Sequence, residues 1–375
     1  MKYCELCLQV NTRPGTVFIN GICPACQFKN NSSIFDWHSR LTELQNVIEK
    51  SKSEYSKSGY DSLLGVSGGK DSTRLALWAR DFLGLNPLLV CVSYPPNQVT
   101  KVGVRNLNNL VELGFDLHLI SPSPITWKKL MREAFLESAN WAKSTELALF
   151  SGVPQVAIEM GVHLILWGEN PGLQLGALET LGKEGWDGNS LRNMNTLSGM
   201  NSEWLRSKNL RTDLMNPYLY PSEDLFELNK IQIVFLGWAI NNWGLLENGI
   251  SAGISGLAMR EDSAINTSDI VGLTSLDEDW VVLNQMIKYY KYGFGRATDY
   301  VNEWIRQKRI TREEGIRIVE KYDGACHDRY IKDFCNFIEI STSEFWETVN
   351  RFVNKELFEI RKNQRPKRMF SVGDT

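Results

Sequence analysis

Leu63-Leu-Gly-Val-Ser67-Gly68-Gly69-Lys70-Asp71-Ser72-Thr73 is the most informative run in this chain. It leaves a short apolar segment, Ser62–Val66, that predicts a buried strand, and it leads into Ser72–Phe82, whose spacing predicts a helix. Two adjacent glycines let the backbone turn tightly and approach a ligand with no Cβ in the way. The start of the following helix offers unpaired N–H groups and the positive end of the helix dipole, which together make an anion site. Ser67, Ser72 and Thr73 add hydroxyls, and Lys70 adds a positive charge. The run is not the G-x-x-x-x-G-K-[ST] phosphate loop: Leu64 stands where that loop needs its first glycine, and Asp71 follows Lys70. Nor is it a G-x-G-x-x-G fingerprint. The bland alternative is a glycine-rich turn before a capped helix.

Outward from this loop, strand-like and helix-like runs alternate. Pro87–Ser93, Phe115–Ser121 and His163–Trp167 read as strands, and Val99–Leu113 and Trp127–Leu136 as helices between them. That alternation predicts βαβ units and a parallel sheet. Ligands of such sheets sit beyond the carboxyl ends of the strands, here Ser67–Ser72, Ser93–Asn97, Ser121–Ser123 and Gly168–Pro171. A helix is expected over about 35–54. Residues about 173–230 are rich in Gly, Asn and Ser with no period, either a loop-rich substrate region or a surface insertion. The last hundred residues read as helices, with capping boxes at Thr311–Glu314 and Ser341–Glu344. Arg361–Arg368 holds five basic residues in eight, either a solvated tail or a contact for an anionic partner. The expected domains are 1–34, 35–275 and 276–375.

The chain has 375 residues, 43% hydrophobic and 23% charged, with a net charge of -3. This excludes collagen-like and wholly disordered classes and disfavours nucleic acid as a general partner. The start, MKYCELCLQV, lacks a signal-peptide pattern, and the longest apolar run, near Ile231–Ile240, is too short to cross a membrane. A cytoplasmic protein with reduced thiols is expected. Four of the seven cysteines form Cys4-x-x-Cys7 and Cys23-x-x-Cys26, fifteen residues apart. That spacing fits a closed four-thiolate Zn²⁺ site, which would give the first segment the folding free energy it lacks. Two disulfides or an iron–sulfur cluster are the alternatives. Cys91, Cys326 and Cys335 are expected to be core thiols.

The S-G-G-x-D-S run after a strand resembles the PP-loop of the ATP pyrophosphatase superfamily. More of the chain is similar to one branch of it. Tyr3–Cys7, Thr12-Arg-Pro-Gly15, Gly21–Cys26, Asp36-Trp37, Gly84–Val90, Gly114–Asp116, Gly168-Glu-Asn-Pro171, Lys291–Asp299, Arg309–Glu314, Lys321–Gly324 and Phe334-Cys335 together resemble the N-acetyl sugar amidotransferases of the WbpG and PseA type.

The resemblance implies an α/β fold of PP-loop type with an N-terminal zinc ribbon and a helical C-terminal region. It implies a reaction in which ATP and ammonia convert the N-acetyl group of a nucleotide-activated sugar into an acetamidino group, releasing AMP and pyrophosphate. The ammonia would come from a separate glutaminase of the imidazole glycerol phosphate synthase kind, in surface polysaccharide or nonulosonic acid biosynthesis. Ser67, Gly68, Gly69, Ser72 and Thr73 would hold the phosphates with Mg²⁺, and Val92 and Ser93 would lie near the adenosine. Lys70 would neutralise charge. Asp71 would orient Lys70 or the metal, or serve only as a first-turn acid. Glu169 is a candidate to deprotonate ammonia or hold the sugar, beside Gly168 and Asn170; the alternative is a turn that satisfies its own backbone. Lys291 and Arg296 are candidates for a nucleotide-sugar phosphate, or else pack a helix surface. A PP-loop tRNA-modifying ligase or thiolase is the competing function.

Overall fold

The computed structural model describes residues 1–31, 36–52, 58–168, 186–193, 200–240, 242–361 and 364–374. The chain divides into two compact units, one of Phe35–Leu130 with Lys143–Met259, the other of Met1–Ile34, Met131–Ala142 and Arg260–Thr375.

The first unit is built on five parallel strands: β1 (Ser62–Gly65), β2 (Pro87–Val92), β3 (Leu117–Ile120), β4 (Leu164–Trp167) and β5 (Gln232–Phe235). Their order is β3-β2-β1-β4-β5. All but the partly exposed edge strand β3 are short apolar runs buried on both faces of the sheet. Leu64, Leu89, Leu166 and Val234 pack on one side with Leu75, Ala76 and Ala79 of the helix that follows β1. Leu63, Leu88, Val90, Ile165 and Ile233 pack on the other with Val153, Val156 and Ala157. The predicted strands and helices of this unit are present with ends moved by one to three residues. The helix expected over Ser72–Phe82 begins at Lys70 and changes to π-helical pitch at Trp78–Phe82.

Two elements of this unit were not foreseen. Ala142–Met160 is one helix through Gly152 and Pro154. A Cβ on Gly152 would stand 2.6 Å from Val92 Cγ2, so this helix packs on the sheet only because position 152 lacks one. The other is β5, within the apolar run noted at Ile231–Ile240. It pairs with β4 from Leu164↔Gln232 to Trp167↔Phe235. The apolar run noted only as too short to cross a membrane therefore supplies a full strand of the sheet.

In the second unit, five helices carry the C-terminal region: Val281–Tyr292, Arg296–Arg306, Arg312–Tyr322, Asp328–Ile338 and Thr342–Phe352. Thr311 and Glu314 close the expected capping box; at the second site Ser341 accepts from the Glu344 N–H. Phe135, Phe334 and Phe345 form the aromatic centre, with Phe135 stacked on Phe345 at 5.2 Å. The basic tail is tied back. Arg365 donates to Asp328 Oδ1 at 2.5 Å, and β7 (Lys367–Arg368) pairs antiparallel with β6 (Phe358–Glu359). Among the described residues no helix is long and apolar enough to cross a membrane.

Candidate functional site

The strand order reverses its direction of growth between β1 and β4, so the crevice beyond their carboxyl ends is where a ligand of this sheet binds. The Ser67–Thr73 loop leaves β1 at that place. Val66 still donates to Val90 O, and the chain then turns at Gly68, whose φ is +75°. A Cβ on Gly68 would lie 3.0 Å from Leu107 N and 3.1 Å from Asn106 C, so backbone of the neighbouring helix fills the space. Gly69 caps the Lys70–Leu77 helix with φ -78° and ψ 173° and gives it no side-chain cap. The first-turn amides are thus left for an incoming anion. Ser67 is exposed, and Ser72 Oγ donates to Gly69 O at 3.2 Å.

Lys70 is nearly buried and its Nζ lies 2.6 Å from Asp71 Oδ2. Asp71 Oδ1 accepts from Asn248 Nδ2 at 2.5 Å. Both carboxylate oxygens therefore have a partner, and Asp71 links Lys70 to Asn248. Asn248 Oδ1 in turn accepts from Arg74 Nη1 at 2.5 Å. Arg74 also donates to Asn242 O and Oδ1, and stands over the Trp243 ring at 5.7 Å. Burial lowers the Arg74 pKa from its ordinary value, against the pull of Glu247 and Asp71.

Of the other expected residues, Thr73 is buried and its hydroxyl has no hydrogen-bond partner among the described residues. Val92 ends β2. Ser93 donates its N–H to Ile120 O at 2.8 Å and its hydroxyl to Tyr94 O at 3.1 Å. Gly168 follows β4, where a Cβ would meet Leu75 Cδ1 at 2.4 Å; it lets the chain pass close over the loop helix. Glu169 and Asn170 lie outside the described residues. Sequence reasoning missed Asn248, Asn242 and Arg74. Arg74 had one signal, its place one turn beyond Asp71; an asparagine inside Leu245–Ile254 had none.

The second unit holds the cysteines. Sγ of Cys4, Cys7, Cys23 and Cys26 all lie within 4.8 Å of one another and all four residues are buried. Cys7 and Cys23 sulfurs are 3.7 Å apart. Four sulfurs each about 2.3 Å from one tetrahedral ion stand about 3.8 Å apart, so the group fits a single ion. An iron–sulfur cube, which spreads its thiolates over separate irons, needs a wider set. Backbone N–H groups support the sulfurs: Gln9 donates to Cys7 Sγ at 3.4 Å and Cys23 to Cys4 Sγ at 3.3 Å. Arg306 Nη1 is 4.0 Å from Cys7 Sγ, and Arg312 Nε donates to Cys7 O at 3.3 Å. These cations offset the negative charge of a four-thiolate centre. The ribbon is further held by Leu8 N donating to Asn302 Oδ1 at 2.7 Å and by the Arg13–Asp299 ion pair, which Lys288 Nζ joins at 2.8 Å.

Lys291 Nζ donates to Ser138 O at 2.5 Å and lies over the Phe352 ring at 5.2 Å. Burial pushes its pKa down to about 8. Its ammonium thereby satisfies a carbonyl at the end of the Pro124–Ser138 helix. Arg296 opens the Arg296–Arg306 helix with its guanidinium 6.0 Å from the Tyr300 ring centre. Cys91, Cys326 and Cys335 are buried, and burial pushes the last two thiols up to about 12.

No curated protein matches the chain. Solved structures are similar at low level, three of them as follows. NH3-dependent NAD synthetase from Campylobacter jejuni shares 17% identity over 52% of this chain and 92% of its own, at TM-score 0.29. The U34-tRNA thiolase NcsA from Methanococcus maripaludis, with its [4Fe-4S] cluster, shares 12% over 81% and 89%, at 0.27. NMN synthetase from Francisella tularensis shares 15% over 61% and 100%, at 0.27. Residues 274–371, the five C-terminal helices and the paired tail strands, match the family described as LPS biosynthesis protein WbpG-like, C-terminal domain.

Proposed function

We propose that the chain is an ATP-dependent, AMP-forming amidotransferase that turns the N-acetyl group of a nucleotide-activated sugar into an acetamidino group, in surface polysaccharide biosynthesis. One observation carries the reading. An uncapped helix start on the Gly68–Gly69 turn, armed with Lys70 and Asp71 at the sheet's switch point, stands in one chain with a WbpG-like C-terminal domain.

An amide carbon is a poor electrophile until its oxygen becomes a leaving group. In the proposed reaction the acetamido oxygen bonds to the α-phosphorus of ATP as the bond to pyrophosphate breaks. Ammonia then adds to the imidate carbon, gives up a proton, and AMP departs with the oxygen. The first-turn amides and the Ser67 and Ser72 hydroxyls hold the β- and γ-phosphates, and Val92–Ser93 borders the adenosine. Lys70 offsets the negative charge that builds on the phosphates, the kind of preorganised electrostatic term that dominates such catalysis. Asp71 keeps the Lys70 ammonium in place. Glu169 is proposed to take the proton from ammonia. Mg²⁺ enters as part of the ATP substrate.

Zn²⁺ in the Cys4, Cys7, Cys23 and Cys26 site is proposed to be structural, since four thiolates leave no open position for water. The ammonia donor is proposed to be a separate glutaminase, and Arg296 to meet the acceptor's phosphate. Incubation with ATP, Mg²⁺, ammonium and a set of nucleotide-linked N-acetyl sugars is the test. A product one mass unit lighter than the acceptor, with one AMP per product, supports the reading. Salt-sensitive tRNA binding with no sugar product contradicts it.

A further inference from the structure

We infer that Asn248 is a positioning residue for the phosphate site, acting on Lys70 through Asp71; this rests on the reading above. Asn248 is buried, and it lies on the Leu245–Ile254 helix, which packs against the Lys70–Leu77 helix. Its amide orientation is fixed by its partners. Oδ1 accepts from Arg74 Nη1, and Nδ2 donates to Asp71 Oδ1, each at 2.5 Å. A guanidinium can only donate and an ionised carboxylate can only accept, so the amide cannot be flipped without losing both bonds.

The consequence is a division of charges. Asp71 and Arg74 sit three apart on one helix, a spacing at which they attract each other. Asn248 stands between them, giving each a partner and leaving the second oxygen of Asp71 to Lys70 at 2.6 Å. With position 248 made apolar, Arg74 is free to draw Asp71 away, and Lys70 loses the anchor that aims it. The charged groups that face this site are Lys70, Asp71, Arg74 and Glu247.

Two variants of nearly the same size separate positioning from plain packing. Asn248→Leu removes both hydrogen bonds. Asn248→Asp keeps the shape and the bond from Arg74 but sets two carboxylates against each other, so that one must hold a proton to restore the link. Loss of a hydrogen bond to a charged group predicts that both variants form AMP about tenfold to a hundredfold more slowly at pH 8. The drop should appear in kcat with little change in the KM for ATP. For Asn248→Asp, activity relative to wild type should climb as pH falls toward 6, because a protonated carboxyl at 248 can again donate to Asp71. Asn248→Leu should show no such recovery.

A second readout does not need turnover. In Asn248→Leu, an amine-reactive reagent should label Lys70 several-fold faster than in wild type, read by peptide mass spectrometry; in wild type Asp71 shields it. Equal labelling, or two variants with the same flat pH dependence, overturns the inference. Wild-type protein that makes no AMP defeats the proposed function alone, and the labelling result still decides the role of Asn248.

Discussion

Replacing Gly68 with alanine tests the loop geometry against its neighbour Gly69, because the two adjacent glycines are there for different reasons. Gly68 has φ +75°, a conformation that costs an ordinary residue about 1–2 kcal/mol. The added methyl would also press on Leu107 N at 3.0 Å and Asn106 C at 3.1 Å. These are backbone atoms of the Lys101–Glu112 helix, and crowding of this kind costs about 1–3 kcal/mol. The sum is about 3 kcal/mol. For a unit of this size that lowers the melting temperature by about 6–12 °C. Gly69 has φ -78°, and its nearest foreign atom is the Ser67 hydroxyl at 3.3 Å, on an exposed side chain that can turn away. Gly69→Ala should therefore cost less, about 0.5–1 kcal/mol, the loss of a glycine at a helix N-cap. Calorimetric melting of the two variants beside wild type is the assay. Equal melting temperatures for the two, or a larger loss at Gly69, would refute this account of the loop.

Three further outcomes are expected. Purified protein should hold one zinc per chain and release it as pH falls, because protons compete for the thiolates; iron with visible absorbance in its place would sink the zinc reading. Asp299 is half-buried, and desolvation works against its charge, but Arg13 and Lys288 outweigh it and hold its carboxyl below the usual range. The folded chain keeps that charge while the unfolded chain takes up a proton, so this stability is present above about pH 4 and lost as pH falls further. Asp299→Asn should cost about 3 kcal/mol at pH 7 in urea melts and progressively less as pH falls from about 4 toward the folded-state value; a cost that does not fall with pH contradicts it. The depressed pKa of Lys291, about 8, penalises folding below that pH and eases toward about pH 10, where the unfolded lysine also loses its proton. Lys291→Met should abolish that rise in stability without changing the KM for the acceptor, whereas Arg296→Ala should raise the KM; a raised KM in Lys291→Met would mark it as a substrate contact after all.

What could be read in advance follows from how local each signal is. Ser62–Thr73 carries strand, turn and helix start in twelve consecutive residues, so its geometry was readable without the rest of the chain. The CxxC pairs were readable because each knuckle is built from four neighbours. The Ala142–Met160 helix was not read because it runs through Gly152 and Pro154, two residues that disfavour a helix interior; the glycine is there because β2 leaves no room for a methyl. β5 was hidden because a short apolar run has no period that separates strand from helix. The Asp71–Asn248–Arg74 link joins residues 177 positions apart, and nothing near position 248 announces it.

The central claim is that ATP activates the oxygen of an N-acetyl group. It is tested most directly with an acceptor sugar carrying ¹⁸O in its acetyl carbonyl, turned over with ATP, Mg²⁺ and ammonium. The account predicts that AMP recovered from the reaction carries the ¹⁸O, one atom per acetamidino group formed, and that Lys70→Ala gives none while keeping its zinc. Unlabelled AMP, or product formed with the label still on the sugar, would contradict it.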